Sequence, residues 1–204
     1  MQNNLFFLCG PHGSGKTTLA SLLAEKENVL VPELFSRTIK LNTDPKDRLV
    51  LKICQRSLEN FEYLETARRN PDKIVLGNRC IYDQLTYNLV YAYRGWLDKN
   101  KVEKYNLLSE NLYINSLKEP FAIVLNPGFD VVKKHLEKRW QEKGKKWRED
   151  DWEYDRLACD VYEQFKDNEK IFYINHEIDL NSGDEISRVY EWMKEIKEGV
   201  PVFA

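Results

Sequence analysis

The chain has 204 residues, enough for one α/β domain with a sizeable core. Its 31% charged and 12% aromatic residues exclude a disordered segment, and a formal net charge of -2 gives no bulk attraction to nucleic acid or a membrane surface. No apolar run approaches the roughly 18 residues of a membrane-crossing helix, and no signal peptide is visible.

The four cysteines, Cys9, Cys54, Cys80 and Cys159, form no C-x-x-C pair, and none stands at ligand spacing from a histidine. Buried free thiols in a reducing, cytoplasmic compartment are the expectation, with neither zinc nor disulfides. There is no internal repeat and no low-complexity stretch, so residues 1–204 are expected to form a single domain.

The first apolar run, Leu5 to Cys9, ends at Gly10 and leads into Pro11-His12-Gly13-Ser14-Gly15-Lys16-Thr17-Thr18. This is the G-x-x-x-x-G-K-[ST] pattern of a phosphate-binding P-loop, with a strand before it and a helix after it. Glycines at 10, 13 and 15 admit backbone conformations that a Cβ would block, so successive N–H groups can turn inward around phosphate oxygens. The helix start near Gly15 adds unpaired N–H groups and a positive dipole end. In this pattern Lys16 reaches the β- and γ-phosphates and the Thr17 hydroxyl ligates Mg²⁺. The alternative is a glycine-rich turn matching by chance, which the flanking strand and helix argue against.

The helix carries Leu19, Leu22 and Leu23 and is expected to end near Glu27-Asn28. Val29-Leu30-Val31 reads as a second strand, closed by Pro32 and followed by Glu33. In open α/β sheets ligands sit beyond the carboxyl ends of the strands, which makes Glu33 a candidate general base or Mg²⁺-linked carboxylate rather than an ordinary surface residue. Arg37 lies one helical turn further on and could share that face. Thr43-Asp44-Pro45 reads as an N-cap with Pro in the first turn. The helix that follows runs to about Arg69 and turns Leu49, Ile53, Phe61 and Leu64 inward. Gln55 on it is a weak candidate for substrate contact.

A third strand, Lys73 to Leu76, ends in Gly77-Asn78-Arg79-Cys80. If the next segment is helical, Arg79, Asp83 and Tyr87 fall at i, i+4 and i+8 on one stripe that starts at a strand tip. That stripe either meets a substrate or is a surface ion pair worth only tenths of a kcal/mol. A helix from Val102 to Leu117 and a fourth strand, Phe121 to Leu125, come next. Asp130 is placed to cap another helix, with Val132, Leu136 and Trp140 on its inner face. Residues 139–151 are highly charged, with Lys143, Lys145, Lys146 and Arg148. They suit either a solvated turn or a mobile lid that neutralises triphosphate charge on closure. Tyr154, Leu157, Ala158, Val161, Tyr162 and Phe165 form an apolar face. The fifth strand is Lys170 to Ile174, and a last helix buries Ile186, Val189, Tyr190, Met193 and Ile196.

Strands alternating with helices predict an α/β, three-layer P-loop fold with a five-stranded parallel sheet and a helical lid. A GTPase would need an N-K-x-D base reader after a strand; Asn100-Lys101-Val102-Glu103 lacks both the Asp and the strand. An AAA-type ATPase would carry an apolar strand ending in Asp-Glu, whereas the third strand ends in Gly77-Asn78-Arg79. A protein kinase uses a different glycine-rich loop.

The chain resembles the P-loop nucleoside and nucleotide kinases. The likeness rests on the P-loop, on Val31-Pro32-Glu33, which looks like the V-P-E-P of deoxynucleoside kinases, and on Asn78-Arg79-Cys80-Ile81-Tyr82. The last is similar to their E-R-S-I-[FY] and to the D-R of thymidylate kinases. With Asp83 and Tyr87 it is closer still to the group that includes nicotinamide riboside kinases. Lys146-Trp147-Arg148-Glu149 and the Tyr154 to Phe165 helix resemble the lids of these families.

The resemblance implies ATP and Mg²⁺ as cofactors, bound through residues Gly10, His12, Gly13, Ser14, Gly15, Lys16, Thr17 and Thr18. It implies Glu33 as the base or metal contact, Arg79 on phosphate, Arg148 as the lid arginine, and Asp83 and Tyr87 facing the acceptor. Asn78 departs from the pattern, since these families place Asp or Glu there. An amide can hold a metal-bound water but cannot act as a base, so more weight falls on Glu33.

The expected activity is transfer of the γ-phosphate of Mg-ATP to a nucleoside or nucleotide-like small molecule, with no nucleic acid and no membrane as partner. The alternatives are a regulatory NTP-binding module and a kinase acting on nucleic-acid ends; the second would need a basic groove. Helices rich in Tyr and Trp could supply a homodimer interface.

Overall fold

The computed structural model describes residues 3–32, 43–113, 117–144, 150–179 and 182–199. Five strands, β1 (Leu5–Cys9), β2 (Val29–Leu30), β3 (Ile74–Asn78), β4 (Phe121–Leu125) and β5 (Ile171–Ile174), form one sheet in the order β2-β3-β1-β4-β5. Every pairing is parallel. Among the described residues the α-helices are α1 (Lys16–Ala24), α2 (Pro45–Arg69), α3 (Ile81–Tyr93), α4 (Val102–Leu112), α5 (Phe129–Lys143), α6 (Trp152–Tyr162) and α7 (Asp184–Glu198).

The central strand β1 is buried along its whole length, and its two faces feed different layers. Leu5, Phe7 and Cys9 pack with Tyr63, Ile81, Tyr82, Tyr162 and Phe165 from α2, α3, α6 and the turn after α6. Phe6 and Leu8 pack with Leu19, Leu23, Val189, Trp192 and Met193 from α1 and α7. Alternation along the strand therefore makes the three layers, as expected for a parallel sheet covered on both faces. A third apolar cluster joins Leu49 and Ile53 of α2 to Tyr87, Val90 and Tyr91 of α3 and Tyr154 of α6.

The predicted boundaries shift where backbone chemistry intervenes. α1 ends at Ala24, earlier than the periodicity suggested, because Glu25 and Lys26 close it with bonds to Leu22 and Leu23, and Asn28 turns the chain at φ 62°. β3 runs two residues further, to Asn78, because Asn78 pairs with Leu8. α2 starts as read: Pro45 opens it, and the Asp44 side chain accepts from Lys46 N at 2.9 Å. Its buried seam includes Leu49, Ile53, Arg56, Asn60 and Leu64. Phe61, one position and ~100° around from Asn60, is exposed rather than inward. Asp130 does not cap α5. Gly128 does, at φ 91°, and Asp130 lies in the first turn, where a carboxylate still favours the positive helix end.

Tyr190 is only partly buried on α7, and Trp192 takes its place in the core. The tyrosines and tryptophans of the helices mostly pack inside. The large exposed apolar side chains are instead mainly aliphatic, such as Leu51 and Leu58 of α2 and Leu107 and Leu112 of α4. No helix among the described residues is long and apolar enough to cross a membrane.

Candidate active site

The loop between β1 and α1 lies where the strand order turns back, with β3 on one side of β1 and β4 on the other. Crevices at such switch points are the ligand sites of open α/β sheets. All three of its glycines have positive φ: 136° at Gly10, 75° at Gly13 and 97° at Gly15. At Gly10 a Cβ would fall 2.2 Å from the Leu125 carbonyl oxygen of β4, so the loop presses backbone on backbone. Gly15 is the N-cap of α1 and brings no side-chain cap, leaving the first N–H groups of that helix facing outward.

Lys16 folds its ammonium back over the loop, donating to the carbonyls of Gly10 (2.9 Å) and Pro11 (2.6 Å) and to Ser14 Oγ (3.1 Å). Thr17 and Thr18 are exposed at the helix start, Ser14 is buried, and the His12 ring lies 5.9 Å from that of Tyr87. The cradle of glycine N–H groups, a lysine and an exposed Thr17 hydroxyl fits the phosphates of a nucleotide with Mg²⁺.

At the tip of β3 the chain makes a second unusual turn. Arg79 sits at φ 68°, a left-handed conformation that costs a residue with a Cβ about 1–2 kcal/mol. Two hydrogen bonds hold it there, from Arg79 N to the Leu8 carbonyl (2.8 Å) and from Asn60 Nδ2 to the Arg79 carbonyl (3.0 Å). The turn sends the guanidinium back along α3. It donates to Asp83 Oδ1 at 2.5 Å, and its Nη1 is 3.5 Å from the Tyr87 hydroxyl. The predicted stripe is thus assembled, and it is buried: Arg79 is 5% exposed and Asp83 0%.

Asp83 also accepts from the Tyr162 hydroxyl (2.5 Å) and from Cys80 N (3.2 Å). Burial pushes its carboxyl up, but the charges of Arg79, Arg56 and Lys16 outweigh this and hold it below the usual range. Burial first, and then the neighbouring Asp83 or Asp155 carboxylate, pushes the Tyr87, Tyr154 and Tyr162 hydroxyls up, so they act as neutral donors and acceptors.

Cys9 and Cys80 meet under this network, sulfur to sulfur at 3.3 Å. Cys9, Cys80 and Asp83 bring ligand atoms within 4.8 Å of one another. The group does not suit Mg²⁺, which needs oxygen ligands, because two of its members are thiols and Asp83 already serves Arg79 and Tyr162.

Of the other expected residues, Gln55 is half-buried on α2, where it accepts from Lys52 and donates to Glu59. Its neighbour Arg56, which sequence reasoning passed over, is the one whose charge reaches Asp83. Glu33, Arg37 and Arg148 lie outside the described residues, as does the centre of the proposed lid. At the base of that segment Arg94, the C-cap of α3, pairs with Asp151 (3.1 Å) and Glu153, tying the end of α3 to the start of α6. Tyr162 was also missed, because it reads as a core aromatic.

Fold and loop define a P-loop protein of three-layer α/β architecture. A family model described as an AAA domain matches residues 5–113, from β1 to just beyond α4, and the chain belongs to that family. The match overturns the sequence-based exclusion of an AAA-type protein, which rested on β3 ending in Gly77-Asn78 instead of Asp-Glu.

Among solved structures, deoxyadenosine kinase from M. mycoides with bound dATP matches with a TM-score of 0.67 at 16% identity, over 93% of this chain and 98% of that one. The same enzyme with dCMP and a flexible dCDP matches at 0.64 and 14%, over 94% and 99%. At these identities the shared property is the fold. No curated protein matches the chain.

Proposed function

We propose that the protein is a small-molecule phosphotransferase that moves the γ-phosphate of Mg-ATP to a nucleoside or nucleotide-like acceptor. The observation that carries this reading is the buried Arg79–Asp83 pair at the tip of β3, the strand beside the P-loop strand. A module that only binds nucleotide needs the loop. It does not need a second, fixed cation at the tip of the neighbouring strand, held in a strained turn. The likeness of fold to a deoxyadenosine kinase over nearly the full length of both chains supports the same choice.

In this reading the loop N–H groups and Lys16 bind the nucleotide phosphates. The Thr17 hydroxyl would hold Mg²⁺, which neutralises phosphate charge and, with Lys16 and Arg79, favours the charge spread of phosphoryl transfer. Glu33 would orient or deprotonate the acceptor hydroxyl, Arg148 would close over the phosphates, and Arg37, Gln55, Asp83 and Tyr87 would shape the acceptor side. Asp83 does this by holding Arg79, since its own carboxylate oxygens are taken.

The test is ADP release from Mg-ATP across nucleosides, nucleoside monophosphates and nicotinamide riboside. A rate increase with one acceptor class is expected. Lys16→Ala should lower both nucleotide binding and turnover, and Glu33→Gln turnover alone. A flat panel with tight ATP binding would turn the assignment to a regulatory nucleotide-binding module.

A further inference from the structure

Helix α5 bears on the P-loop at Gly13. A methyl there would lie 2.9 Å from Leu136 Cγ and 3.0 Å from the Val132 carbonyl oxygen. Between these two contacts the His135 ring turns onto the same residue, with Nδ1 2.8 Å from the Gly13 carbonyl oxygen. Its Nε2 is 2.9 Å from Glu177, in the segment that follows β5, and Lys134 Nζ lies 3.5 Å from the other oxygen of that carboxylate. The hydrogen bond from His135 and the charge of Lys134 hold Glu177 below its ordinary range. A carbonyl and a carboxylate only accept, so both ring contacts are hydrogen bonds together when both nitrogens carry hydrogen.

The peptide unit is planar and trans, so the Gly13 carbonyl and the Ser14 N–H point in opposite directions. Drawing the carbonyl out toward α5 turns the Ser14 N–H inward, where it lies 3.4 Å from the Pro11 carbonyl oxygen. Gly13, at φ 75°, has no Cβ to resist a flip of this peptide. Within the loop this peptide is held by the long bond that Ser14 N donates to the Pro11 carbonyl, and the shorter His135 contact adds a second restraint from outside.

We infer that His135 is a positioning residue of the nucleotide site: it fixes the Gly13–Ser14 peptide so that the Ser14 N–H is presented to phosphate, and Glu177 fixes the ring. The inference rests on the proposed nucleotide binding. It ties the loop after β1 to α5 and to the segment beyond β5, a connection that spans 122 residues between His135 and Gly13.

The test compares wild type with His135→Ala and His135→Asn, whose amide N–H₂ stands near the place of Nδ1. Two quantities are read: the ¹H–¹⁵N shift and hydrogen exchange of the Ser14 amide in nucleotide-free protein, and Mg-ATP affinity. With His135→Ala the Ser14 amide should shift and exchange faster, and the Kd should rise about tenfold, the worth of one well-placed donor. His135→Asn should recover most of both. Equal loss in the two variants would mark a packing role and overturn the inference. So would a Kd and a Ser14 amide unchanged in His135→Ala. A wild type that binds no Mg-ATP would overturn the nucleotide reading itself and the phosphate-presenting role with it. Wild-type binding matched by His135→Ala would overturn the positioning role alone.

Discussion

Replacing Asp83 with Asn leaves the Arg79 guanidinium buried without its counter-charge. Asp83 is 0% exposed, Arg79 is 5% exposed, and the carboxylate takes three hydrogen bonds, from Arg79, Tyr162 and Cys80 N. Asn can keep one oxygen for Tyr162, but its amide N–H₂ then faces another donor. Breaking a buried pair from one side costs ~3–5 kcal/mol, because the remaining charge has lost its solvent and its partner. A domain has only about 5–15 kcal/mol in total, so Asp83→Asn should still fold but with little margin.

Urea unfolding followed by tryptophan fluorescence measures the loss. With an m-value of about 2 kcal/mol/M, the midpoint should fall by roughly 1.5–2.5 M at unchanged m. Replacing both residues by Leu should cost less than Asp83→Asn alone, since no stranded charge remains. A midpoint drop of under about 0.5 M would equate the pair with an exposed salt bridge of ~0–1 kcal/mol and refute the reasoning.

The same carboxylate sets an acid limb. Its folded pKa lies below the ordinary 3.8, so its contribution is complete above the unfolded value and is lost as pH falls through the folded one. The stability gap between wild type and Asp83→Asn should therefore be flat above about pH 5 and narrow below about pH 4; a gap unchanged down to pH 3 would contradict this. Two glycines offer a matched comparison. Gly10→Ala drives a Cβ to 2.2 Å from the Leu125 carbonyl oxygen, while Gly95→Ala, at φ 69°, meets nothing within 4 Å. Thermal unfolding should show a drop of roughly 6–12 °C for the first and 2–4 °C for the second, and only the first should lose Mg-ATP binding.

What could be read in the sequence was whatever depends on neighbours in the chain. The P-loop is contiguous, and Asp83 and Tyr87 share a face because α3 repeats every 3.6 residues, with Arg79 laid against them by its left-handed turn. The sheet followed from five apolar runs, although β3 ran on where its cross-strand partner Leu8 decided the matter, just as the left-handed Asn28 turned the chain after α1. The depth of the stripe was not legible. Asp83 is sealed by Tyr162, 79 residues away, and that hydroxyl looks like one more core aromatic until α6 packs on α3. Arg56 and His135 were hidden for the same reason: each sits in an unremarkable helical pattern and gains meaning only from the partner that folding brings.

The sulfur contact between Cys9 and Cys80 gives the molecule an internal clock. Cys54 is exposed, whereas Cys9, Cys80 and Cys159 are buried. A thiol reagent therefore reacts with one site at once and must wait for the others. Cys9 adjoins the first P-loop glycine and Cys80 adjoins Arg79. The delay at these two reports how often the floor beneath both halves of the crevice comes apart, and any small molecule that clamps the crevice shut lengthens it.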